Sequence, residues 1–199
     1  MALTTSAFYE YSKRLKDERV DEDDVAVTIG SGRSRREVTS HDCMVRGIRE
    51  RTTIVVTHHE FHQPGLSLLW SGPCLRNVLE VFVADGMLPL ECVVRRKNLW
   101  ERFTSWLLRR KAAHALLAGC VVQAEPGARG RSPMSQPAFL DAVWTLLQRP
   151  EWVSIEFQAG TGATALLRAE PTTITADVLD AAVQATADVV RSVTGLPRA

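Results

Sequence analysis

The sequence predicts an α+β fold, a mainly antiparallel sheet with helices packed on one face. Three observations carry that expectation. Strand-like segments rich in β-branched residues come early in the 199-residue chain. Stretches with apolar residues at helical spacing come later. Hairpin-like punctuation joins them, in place of the regular β–α–β alternation of a parallel sheet.

The first element expected is a short helix from Ser6 to Arg19, with Phe8, Tyr11 and Leu15 on one face. The acidic run Asp21, Glu22, Asp23 and Asp24 reads as a solvated linker, so residues 1–24 form an N-terminal helix and linker and 25–199 a single α+β domain. Val25 to Ile29 reads as a strand that ends at the Gly30-Ser31-Gly32 turn. From Glu37 to Phe61 the chain is β in character, densest at Thr52 to Thr57, with a hairpin bend near Arg46-Gly47. Further strands are expected at Leu66–Trp70, Val78–Ala84 and Leu90–Arg95.

A helix follows over about residues 98–117, carrying Leu99, Phe103, Trp106, Leu107 and Leu117 on one face. Cys120 to Val122 reads as a short strand, and Glu125 to Gln136, with two prolines and two glycines, as an exposed loop. Pro137 opens a helix that stops before Pro150. Trp152–Phe157 and Ala163–Arg168 form a hairpin around Gly160-Thr161-Gly162, and Thr175 caps a last helix with Leu179 in its buried stripe.

Composition bounds the function. A formal net charge of +1 gives no global pull toward nucleic acid or membrane. Cys43, Cys74, Cys92 and Cys120 are dispersed, without the pairing of a zinc ribbon or a small disulfide scaffold. With charges in place of an apolar run near Met1, a cytoplasmic location is expected.

Familiar catalytic patterns fail on context. Gly30-Ser31-Gly32 has Arg35 where a dinucleotide fingerprint needs a small residue, and Gly160-Thr161-Gly162 is followed too soon by Pro171 for the required helix. Cys43 and Arg49 have phosphatase spacing, but the run behind them is β rather than helical and Asp42 opposes a thiolate. No serine lies in a G-x-S-x-G elbow. Accordingly no catalytic and no cofactor-binding residue is assigned.

Two clusters keep a sharper reading. His58, Glu60 and His62 share one strand face by period two, a two-histidine, one-carboxylate set suited to a divalent metal, with His41 and Asp42 on the neighbouring strand. Against this stands a polar strand end facing water. Arg95, Arg96, Lys97, Arg102 and Arg109 crowd the central segment and suit a docking surface for an acidic protein partner, against the plainer reading of a solvated face.

The function expected first is that of a non-enzymatic interaction protein, an adaptor, regulator or assembly component that binds another protein. A metal-dependent enzyme at the His/Glu cluster is the alternative, and nucleic-acid binding through the arginine-rich segment the second alternative. No cofactor is expected under the first reading and a divalent metal under its alternative. A homo-oligomer stays open, whereas a membrane is not expected as a partner.

Overall fold

The computed structural model describes residues 3–29, 36–61, 77–89, 91–97, 101–102, 119–124 and 137–194. Its class is α+β, built on an antiparallel sheet. The strands are β1 (Lys16–Ile29), β2 (Arg36–Arg49), β3 (Thr52–Phe61), β4 (Asn77–Ala84), β5 (Cys92–Arg96), β6 (Cys120–Ala124), β7 (Trp152–Gln158) and β8 (Gly162–Arg168). They lie in the order β1-β2-β3-β4-β8-β7-β5-β6. Helices α1 (Leu3–Ser12), α2 (Pro137–Gln148) and α3 (Ala176–Thr194) accompany them, with a 3-10 turn at Pro171–Thr173. None of the described helices is long and apolar enough to cross a membrane.

The chain divides into two compact units, Met1–Glu80 with Arg168–Ala181, and Val81–Leu167 with Ala182–Ala199. In the first, α1 buries Thr4, Ala7, Phe8 and Tyr11, an i, i+3, i+4 and i+7 set. The sequence suggested a helix continuing to Arg19, but α1 ends at Ser12. Its last turn tightens through Arg14 N–H to Tyr11 C=O (2.9 Å) and Leu15 N–H to Ser12 C=O (2.8 Å). The early stop lets Leu15 press against Gly47, where an added Cβ would lie 2.7 Å from the Leu15 Cβ. Gly47 thus serves close packing inside β2.

The hairpin turn comes later, at Glu50 and Arg51, with φ of 49° and 69°. Two positive φ values in a two-residue loop are what the twist of tightly joined antiparallel strands demands. Neither residue is a glycine or asparagine, so the usual signal is missing. The acidic run is a second departure: Asp21 to Asp24 lie inside β1, paired with Met44, Cys43, Asp42 and His41 of β2. Asp and Glu are poor strand formers, but the ladder satisfies the backbone and wins.

In the second unit α2 buries Phe139, Val143, Leu146 and Leu147, and Phe139 meets Phe157 of β7 edge-on at 5.2 Å. The expected β7–β8 hairpin is present. Gly162 is required there, because its Cβ would fall 2.2 Å from the Val83 carbonyl oxygen.

Thr175 caps α3 as expected, its Oγ1 accepting from Val178 N–H at 3.3 Å. Leu179 is fully buried. The Leu66–Trp70 strand, the Glu125–Gln136 loop, Trp106 and nearly all of the helix expected over 98–117 lie outside the described residues.

Candidate functional site

The ladder between β2 and β3 sets Cys43 opposite His58, Asp42 opposite His59 and His41 opposite Glu60. Residues directly opposite share a face, so odd positions of β2 go with even positions of β3. On that shared face Cys43, Val45, Ile54, Val56 and His58 are all buried. Asp42, Val55, Thr57 and His59 lie half-buried on the other.

His58 is 2 % exposed. Burial pushes its pKa below the ordinary imidazole value, against a hydrogen bond to the backbone of Ala169. The ring is therefore neutral at neutral pH, and its buried Nε2 has no hydrogen-bond partner among the described residues. Glu60 is half-buried farther along the same face, and His62 lies outside the described residues. No group of three His, Cys, Asp or Glu among the described residues is arranged to hold a metal ion.

His59 has the opposite environment. Its Nδ1 is 2.9 Å from Asp42 Oδ2, and its Nε2 is 3.4 Å from Glu80 Oε2. Burial disfavours the imidazolium, but the Glu80 and Asp42 hydrogen bonds and charges outweigh it, and the pKa is raised. Asp42 also accepts from the buried Ser40 hydroxyl. His41 repeats the pattern at the edge, with Nδ1 2.9 Å from Asp24 and Nε2 3.0 Å from Glu22. The Asp24 bond, helped by Glu22 against desolvation, raises its pKa. Glu22 in turn accepts from Thr5 of α1 at 3.1 Å. The sequence marks His41 and Asp42 only as further metal ligands beside His58, not as members of these clamps.

The described thiols are poor nucleophiles. Burial pushes Cys43 up to about 12, aided by the Glu22 charge and opposed by Thr5. Burial alone does the same to Cys92, and it raises Cys120 against the pull of Arg96, Lys97 and Arg102.

In the basic segment, two arginines have duties inside the chain. Arg95 grips Glu101 with both prongs, at 2.8 and 2.6 Å. Arg96 donates to the carbonyls of Leu147 and Arg149, which follow from the C-terminal end of α2, where carbonyls lack helical partners. Lys97 N–H bonds the Gly119 carbonyl at 3.0 Å. Arg102 is exposed, and Arg109 lies outside the described residues.

The sequence marks only Val25 to Ile29 of the outer strand β1, which is 14 residues long and stands at one end of the strand order. From Lys16 to Val25 every residue is exposed except Val20 and Asp21, which are half-buried. Because side chains alternate between faces, exposure at successive positions means that both faces of this stretch are open. No known family, curated protein or solved structure matches the chain.

Proposed function

We propose that this chain is a non-enzymatic interaction protein that binds another protein, and that it does so in the cytosol. The observation that carries the reading is the open edge of β1. Among the described residues β1 neighbours β2 alone, and along such an antiparallel edge alternate residues aim N–H and C=O away from the paired strand. Those groups are a template for a further strand, and folds commonly shorten, bulge or cover such edges. Here the ladder is irregular between Lys16 and Arg19, where Asp17 has a φ of 50°, but from Arg19 to Val25 β1 pairs with β2 in unbroken register and stays open on both faces.

Two further observations support the reading. Arg95 and Arg96 are engaged within the chain, which moves the weight of a docking surface from the basic segment to β1. Cys43, Cys92 and Cys120 stand as free thiols, in keeping with a reducing compartment.

The test is affinity capture from native lysate, followed by hydrogen exchange on the recovered complex. Slowed exchange in residues 16–25 is the expected result. A specific partner that leaves those amides unchanged would move the interface elsewhere, and no specific partner at all would overturn the reading.

A further inference from the structure

We infer that the edge of β1 accepts an extended, basic segment of the partner protein as an added strand. This deepens the interaction reading and rests on it. Strand addition draws affinity from main-chain hydrogen bonds, which any sequence can supply, so the side chains beside the edge must choose the partner.

Those side chains are acidic on both faces. Between Lys16 and Val25 stand Asp17, Glu18, Asp21, Glu22, Asp23 and Asp24, against only Lys16 and Arg19. Pairing with β2 shows how they divide: Glu22 and Asp24 share the face of Cys43 and His41, while Asp21 and Asp23 share that of Met44 and Asp42. A strand laid beside β1 would bring its own side chains within about 5 Å of these carboxylates on each face. An alternating strand, polar on one side only, would meet half of them. A segment carrying Lys or Arg at successive positions would meet both rows.

The compensation already present differs along the edge. Asp24 and Glu22 flank His41, and Asp21 pairs with Arg19 at 2.8 Å. Asp23 instead sits directly opposite Asp42, and like charges facing each other across a ladder are unfavourable. Asp42 is held from its other side by His59 and Ser40. A cation arriving beside Asp23 from the open edge would relieve the repulsion that β2 imposes on it.

The same charges argue against other occupants. A second copy paired through its own β1 would set carboxylates against carboxylates, and a nucleic-acid backbone would be repelled.

The probe is a synthetic dodecapeptide in which Lys-Arg pairs at successive positions alternate with Val-Thr pairs, so that each face carries cations. Its controls are a version with Glu at every basic position and a version with alternate amides N-methylated, which keeps the charge and removes the ladder donors. The basic peptide should bind, more weakly as salt rises, and slow exchange of amides within 16–25. N-methylation should abolish binding, and Glu18→Lys with Asp23→Lys in the chain should weaken it about tenfold.

Equal binding of the N-methylated and parent peptides would reduce the effect to general charge attraction and overturn strand addition. Equal binding of the Glu peptide would overturn the charge rule. A self-associated chain whose β1 amides are already protected would give the edge to a second copy, overturning the proposal. If the peptide fails while the doubly substituted chain still captures the parent's partners from lysate, strand addition falls and the interaction reading stands. If peptide and lysate both give nothing, both fall.

Discussion

On one face of the β2–β3 ladder His58 is buried, on the face shared by Cys43, Val45, Ile54 and Val56; on the other, its neighbour His59 lies between Asp42 and Glu80. The two imidazoles are adjacent in the chain and have the same intrinsic basicity. Burial lowers the pKa of His58, whereas carboxylates on β2 and β4 raise that of His59 against its own desolvation. Composition carries none of this difference. A step of one residue along a strand exchanges an apolar face for a polar one, and the direction of the pKa shift reverses with it.

The largest expected break of this contrast is mechanical. Ile54→Ala opens a cavity on the buried face and should cost about 2–5 kcal/mol. Val55→Ala, one position away and half-buried, should cost under about 1 kcal/mol. Urea unfolding of the two variants beside the parent measures the gap, and equal losses would mean that the faces do not differ in packing.

A smaller effect is expected when the charge clamp is cut. Asp42→Asn removes one carboxylate from His59 and should cost about 1–2 kcal/mol, as for a hydrogen bond to a charged group, offset in part because Asp23 loses its like-charged neighbour. Imidazole resonances followed by NMR should then show the His59 titration moving to lower pH, with a smaller downward shift of His58, on which only the Asp42 charge acts. A shift of His58 alone would reverse the assignment of the two faces.

The smallest effect is the pH dependence itself. The lowered pKa of His58 makes its contribution complete above the unfolded value of 6.5 and lost as pH falls through its folded pKa. The raised values of His59 and His41 act in the other sense. Their contribution is complete below 6.5 and lost as pH rises through the folded pKa of each. Stability from these three groups should therefore peak near 6.5. His58→Asn should flatten the acid side only, and His59→Gln should weaken the alkaline side only, with His41 preserving the rest. Denaturant unfolding across about pH 5–8 reads both slopes.

The candidate site was legible to the extent that periodicity governs it. Period two put His58 and Glu60 on one face, and the ladder has them there. Which face turns inward could not be read. That depends on residues distant in sequence, with Leu15 against Gly47 and the Ala169 backbone bonded to His58. Arg95 and Arg96 show the same limit. A run of basic residues looks solvated or sticky in one dimension, but Glu101 and the carbonyls of Leu147 and Arg149 give both arginines structural work. Glu101 and the α2 carbonyls left no local signal of those roles.

By itself the sequence determined the α+β class, the β7–β8 hairpin, the Thr175 cap and the buried Leu179, because each depends on local propensity, turn chemistry or a short repeat. The tertiary structure alone decided that the acidic run belongs to a strand, that Gly47 packs while Glu50 and Arg51 turn, and that the pKa of one histidine is lowered beside another whose pKa is raised. These outcomes depend on which distant groups supply the hydrogen bonds, contacts and counter-charges, and such partners are fixed only when the strands pair.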